Sequence, residues 1–108
     1  IVTPEWRTVF VSGTASIAPG GETVHLDDAD KQVALTMDVV KAILETRGMT
    51  LKDSVRAIAY IKRPEDRPAW QNWLKENGLP ADYAQEIIAD VCRDDLLFEL
   101  ELDAVQRL

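Results

Sequence analysis

Near the C-terminal end of the chain, Glu99, Glu101 and Asp103 recur at a spacing of two in "LLFELELDAV". Successive side chains of a β-strand alternate faces, so this spacing puts three carboxylates on one face of one strand. The segment before it, "YAQEIIADVC", reads as another strand, and a short loop at Asp94–Asp95 predicts a hairpin between the two. In that register Val91 opposes Phe98 and Asp90 opposes Glu99. Val91, Phe98, Leu100 and Leu102 then share a buried face, while Asp90, Cys92, Glu99, Glu101 and Asp103 take the other. Ile88 and Leu97 also fall on the acidic side and point to partial cover there. Carboxylates facing each other cost stability and raise the pKa of at least one of them. A carboxyl protonated near neutrality can serve as a general acid. On a wet face, screening would leave little of this.

Other reactive groups are few. Cys92 would need a base to act as a nucleophile, and the lone histidine, His25, is distant in sequence. One Cys and one His do not supply a zinc-ligand set, so no metal or other cofactor is expected. Arg93 is the cation next to the acidic strand. Two roles are open to it: holding a substrate carboxylate, or pairing with Asp94 or Asp95. "PGGE", residues 19–22, is too short and wrongly placed for a phosphate-cradling loop and reads as a turn.

Composition narrows the function classes. The 108 residues suit one domain, and 19 acidic against 12 basic residues give a formal net charge of −7. The cations are scattered, which is a poor footprint for nucleic acid, because such binding rests on neutralising phosphates. Neither a polybasic membrane patch nor a run of roughly 18 apolar residues is present. No signal peptide is visible, and a single cysteine fits a cytoplasmic protein. The first residue is Ile1, so the chain is read as one domain, 1–108, and as a possible fragment of a longer protein.

Several elements must position the acidic strand. "WRTVFVSGTASI" predicts strand, kink and strand over about 6–12 and 14–18, with Gly13 marking a bulge or a close backbone approach. Val33, Met37, Val40 and Leu44, widened by Ile43, predict a helix over 28–47, with Asp27, Asp28 and Asp30 at its start and Gly48 as its stop. "DSVRAIAYIK", 53–62, alternates as a strand with Val55, Ala57, Ala59 and Ile61 on one face. A second helix over 66–77 turns Ala69, Trp70, Trp73 and Leu74 inward, which makes the tryptophans core rather than a base-stacking platform. The order is α+β, with two helices on one face of a mixed sheet. The other sheet face must then be covered, and a second subunit is the natural candidate.

With these residues in place the chain resembles a known family. "VFVSGTASI", "DADKQVALTMDVVKAILETRGMTLKDSVRAIAYI" and "CRDDLLFELELDAV" resemble the Rid (YjgF-like) proteins, often labelled endoribonuclease or translation inhibitor. The resemblance rests on the Ser-Gly pair after the first strand, the Gln32–Thr36 helix start, Gly48 and the terminal Glu-x-Glu. It implies a chorismate-mutase-like fold, a homotrimer and clefts at the subunit interfaces. Glu99 aligns with the glutamate that positions water for imine and enamine hydrolysis in active members. The arginine that holds the substrate carboxylate there would fall around Asp82–Ala84, where this chain has none.

The phrases "SGTAS", "VCR" and "DLLFELE" are similar to the C-terminal Rid-like part of the chorismatases. That resemblance makes Glu99 the general acid that protonates an enolpyruvyl methylene, with Cys92 and Ala15 lining the pocket. Gly13 and Arg93 complete the expected substrate-binding set. Chorismatases are much longer, and this chain also lacks the strand that ordinary Rid proteins carry before the Ser-Gly pair.

Three function classes follow. The first is a hydrolase or lyase acting on a small anionic metabolite through Glu99. The second is a silent metabolite-binding or oligomerisation module, which the missing arginine favours. The third, ribonuclease or translation inhibitor, is opposed by the acidic charge.

Overall fold

The computed structural model describes residues 6–15, 25, 27–89 and 96–107. Among the described residues the elements follow in the order β1 (Trp6–Ala15), α1 (Ala29–Glu45), β2 (Ser54–Ile61), α2 (Arg67–Glu76), β3 (Gln85–Ile88) and β4 (Phe98–Arg107). Short 3-10 turns at Leu51–Asp53 and Pro64–Asp66 lead into β2 and α2.

α1 begins where the acidic run predicts. The Asp28 carboxylate accepts from the Lys31 N–H at the helix N-terminus, and Asp30 occupies the first turn. Its end is set by Gly48, whose φ of +69° is cheap only for glycine. Val33, Met37, Val40 and Leu44 are all buried, as their spacing requires. Ile43, expected to widen this stripe, instead faces outward. Two polar residues, Gln32 and Thr36, complete the buried face.

The sheet order is β1-β4-β2-β3. β4 runs antiparallel to both β1 and β2, and β3 runs parallel to β2 at the sheet edge. β1 and β2 are therefore parallel to each other with β4 inserted between them, and α1 and α2 supply the crossovers that parallel strands need. Phe98, Leu100, Leu102 and Ala104 of β4 meet Ala57, Ala59 and Ile61 of β2 beneath the helices. Trp70 and Trp73 stack with ring centroids 5.8 Å apart, and Trp70 packs on Phe98 at 5.1 Å. The tryptophans are core, as their helical spacing predicts.

Other expectations fail in the sheet. The final strands do not form a hairpin: both edges of β4 at Glu99 are taken, by Ala15 of β1 and Tyr60 of β2. Asp90 therefore cannot be the ladder partner of Glu99, and residue 90 itself lies outside the described residues. β3 follows β2 instead, which moves Ile88 to a position beside Ile61 on the helix side, where it stays half-exposed at the edge. Val55 is 68% exposed rather than buried. The register of β2 against β4 slips between Ser54 and Arg56, and this irregularity turns Val55 out of the alternation.

Candidate functional site

Opposed residues share a face, so the ladder defines what surrounds the acids. Glu99, Glu101 and Asp103 lie on the sheet face away from the helices. β2 sets Tyr60, Ile58 and Arg56 opposite them in that order. On the other side, β1 sets Ala15 opposite Glu99 and Phe10 opposite Asp103. Between Val11 and Thr14 the β1 register shifts, so Ser12 and Gly13 together face one position of β4, near Glu101. The predicted bulge at Gly13 is present. Ala15 and Glu99, named together in the sequence reading, are ladder partners. Cys92 and Arg93 lie outside the described residues.

The three acids are not equivalent. Arg56 Nη2 lies 2.8 Å from Glu101 and Nη1 lies 3.3 Å from Asp103, so one guanidinium serves two carboxylates. The hydrogen bond to Glu101, and beyond it the charge of Asp103, raise the Arg56 pKa, against some desolvation. Among the described residues no cation pairs with Glu99. Half-buried, its carboxyl is pushed above the usual range, first by burial and then by the Glu101 charge. Glu99 is the acid of the row whose proton affinity is raised.

The start of β4 is braced by a residue that the sequence reading treated only as part of a motif. Gln32 of α1 is fully buried. Its Oε1 accepts from the Leu97 N–H at 2.8 Å, and its Nε2 donates to the His25 carbonyl at 3.1 Å. The Leu97 carbonyl accepts in turn from the Lys62 N–H. Leu97, expected on the acidic face, is instead buried at this junction, two residues before Glu99. Tyr60 and Arg56 also escaped notice as site residues, because their proximity to the acids is a matter of register between distant segments. A buried glutamine on an otherwise apolar helix face is the signal that could have marked the brace.

The stretch expected to carry a substrate-holding arginine is also placed. Asp82 is exposed in the turn before β3, and Ala84 is buried in the core. Gln85, aligned with Ile58, is the first β3 residue on the Glu99 face. A cation there, not at Ala84, could look toward the site.

The family profile described as Endoribonuclease L-PSP matches residues 2–106. The chain belongs to this family, the Rid or YjgF proteins. Among curated relatives, 3-hydroxybenzoate synthase of Streptomyces hygroscopicus is 35% identical over 102 residues, 86% of this chain and 30% of that protein. This Rid-family chain thus spans less than a third of that relative's length. The match bears out the second resemblance, to chorismatases. Among solved structures, the Rid protein YyfB of Yersinia pestis superposes with a TM-score of 0.72 at 24% identity, covering 93% of this chain and 79% of that one. E. coli TdcF with bound serine gives a TM-score of 0.73 at 21% identity over 98% and 84% of the two chains. These likenesses establish the Rid fold, α+β with two helices on one sheet face. Among the described residues, no helix is long and apolar enough to cross a membrane.

Proposed function

We propose that the sheet face around Glu99 binds a small anionic metabolite and that Glu99 is its general acid or its water-positioning residue, in a hydrolase or lyase reaction. One observation carries the reading. Glu99 is half-buried, its proton affinity is raised, and it has no cation partner among the described residues, whereas the neighbouring acids are held by Arg56. A general acid works best with a pKa moved toward the operating pH, and burial moves a carboxyl in that direction. Ala15 and Tyr60 are its ladder partners, and Tyr60 offers a phenol. The named relatives support the ligand class. Of the three, one is a synthase of an aromatic carboxylic acid and another holds serine, so two of the names involve carboxylate-bearing small molecules. Cys92, Arg93 and Gly13 are proposed to line the same site, and copies of the chain associated as a homotrimer would close it.

A thermal-shift screen with chorismate, 2-oxo acids and enamine precursors tests the binding half. A ligand bound only by the native state must raise its stability. A hit that Glu99→Gln retains without turnover supports the acid role. A hit that both forms turn over equally refutes it.

A second reading, a catalytically silent binding module, is favoured by the sequence at Asp82–Ala84, which carries no arginine. It expects little imine or enamine deaminase activity. Gln85→Arg, on the Glu99 face, is the substitution expected to raise that activity. Robust deaminase activity in the unmodified chain would assign the holding role to another cation, with Arg93 first in line.

A further inference from the structure

We propose that Gln32 is the residue that positions Glu99: its buried side-chain amide fastens the start of β4 and so holds the Glu99 carboxyl half-buried on the sheet face. The proposal deepens the reading of Glu99 as a proton donor and rests on it for its catalytic consequence, though not for its first test. Glu99 stands at a vulnerable place. Among the described residues, its pairing with Ala15 is the last rung between β4 and β1 toward the start of β4. Strand ends open most easily. Glu101 and Asp103 lie further in, with paired rungs of β1 on either side of the bulge and β2 along the other edge. Two residues before Glu99, roughly 7 Å along the strand, the bond from Gln32 to Leu97 takes over where the β1 ladder ends.

The chemistry of an amide makes the fastening specific. Oε1 accepts from the Leu97 N–H at 2.8 Å, and Nε2 donates to the His25 carbonyl at 3.1 Å. Turning the amide over would set donor against donor and acceptor against acceptor, so a single orientation fits. The Leu97 carbonyl accepts from the Lys62 N–H at 3.1 Å, so α1 and β2 hold the same residue from two directions. The anchor at the other end is itself tightly held. His25 and Asp27 have φ of +61° and +55°, left-handed backbone that residues other than glycine keep only where their surroundings impose it. There the His25 carbonyl accepts from both the Asp28 N–H and Gln32. Gln32 thus joins a constrained turn, a helix and the strand that carries Glu99. It lies on the helix side of the sheet, so it is a positioning residue that acts on substrate only through Glu99.

Carboxyl titration of Glu99 by carbon NMR on the full chain tests this without any substrate, because it reads the folded state whatever stability a variant loses. Burial is the first cause of the raised proton affinity of Glu99, so loosening its strand end should lower that affinity. The titratable groups around it among the described residues are Glu101 on its own strand, Tyr60 opposite it and Lys62 just past the end of β2; Ala15 of β1 and Gln85 and Ile87 of β3 carry none. Gln32→Met leaves all of these in place and removes the Leu97 bond. Its Glu99 midpoint should fall by roughly half a pH unit, toward the ordinary carboxyl value of about 4.3. Gln32→Glu keeps an acceptor for Leu97, so its Glu99 midpoint should stay at or above the parent's although this variant loses stability too. An unchanged midpoint in Gln32→Met would overturn the proposal. So would a fall in Gln32→Glu, which keeps the proposal testable if Gln32→Met folds poorly. For a screen ligand that the parent turns over, Gln32→Met should lower kcat by roughly tenfold or more with KM little changed, and a loss confined to KM would also overturn it. Full turnover by Glu99→Gln would end the proton-donor reading while leaving the titrations intact, so the two failures are distinguishable.

Discussion

Glu99 and Glu101 are the same residue type on the same strand face, two positions apart, yet their surroundings differ. Arg56 holds Glu101, whereas Glu99 is partly desolvated and has no cation partner among the described residues. Glu99→Gln keeps the shape and removes the acid, so turnover of any ligand found in the screen should fall by roughly two to four orders of magnitude. Glu101→Gln should cost far less, and equal losses would make the row structural. Stability should respond in the opposite sense. The raised pKa means that the folded state binds the Glu99 proton more tightly than the unfolded chain does. The gain from that proton is complete below the unfolded carboxyl value of about 4.3 and is lost as pH rises through the folded value. Glu99→Gln should therefore melt higher than the parent near pH 7, with the difference closing as pH falls toward 4. A lower melting temperature near pH 7 would show that ionised Glu99 is stabilised by contacts beyond those described. The face of these acids was legible from their spacing alone. Their inequality was not, because Arg56 lies more than forty positions away in sequence and only the β2–β4 register brings it to them.

At the scale of elements, α1 does more than cover the sheet. Gln32 satisfies the N–H of buried Leu97 and adds a second donor to the His25 carbonyl, which also accepts from the Asp28 N–H. Gln32→Met keeps the length and removes both bonds, and leaving the buried Leu97 N–H orphaned should cost about 1–3 kcal/mol. That is a large share of a typical domain's stability, so the urea midpoint should fall clearly. Gln32→Glu keeps the acceptor for Leu97 but faces the His25 carbonyl with an anion, and should also lose stability. Faster hydrogen exchange at Leu97 in the Met variant alone would separate the two bonds. Both helices were legible, since capping acids, apolar spacing and terminal glycines agree at α1 and the Trp70–Leu74 cluster marks α2. The last connection was not. Chain neighbours usually pair, which favoured a hairpin, but β3 pairs with β2, and β2 stands between β3 and β4 in the sheet. That step spans two strand spacings, close to 10 Å. The sequence at Asp94–Asp95 lacks the glycine that tight hairpins prefer, and nothing else in it points to a longer connection.

For the whole molecule, the question is what lies against the open sheet face. The helices cover one side, and the other presents the acids together with Ile58, Tyr60, Ile87 and a Phe10 that is 61% exposed. Apolar and aromatic side chains around half-buried carboxylates are a poor surface to leave in water. A second copy brought against this face would bury Phe10 and complete the desolvation of Glu99 in the same step. Association and the proton affinity of Glu99 should then be linked: whatever separates the copies should lower that affinity. Light scattering at micromolar concentration is expected to give a mass of three chains. Phe10→Asp, which puts a fourth carboxylate opposite Asp103, should shift that mass toward one chain, because like charges directly opposed are unfavourable in a ladder. If the parent is already a clean monomer, the face is wet, screening weakens the field of Glu101 on Glu99, and the proton-donor role loses its physical basis. If instead the trimer forms and Phe10→Asp leaves it intact, the contact lies elsewhere on the molecule, and the site around Glu99 must be closed by residues of its own chain.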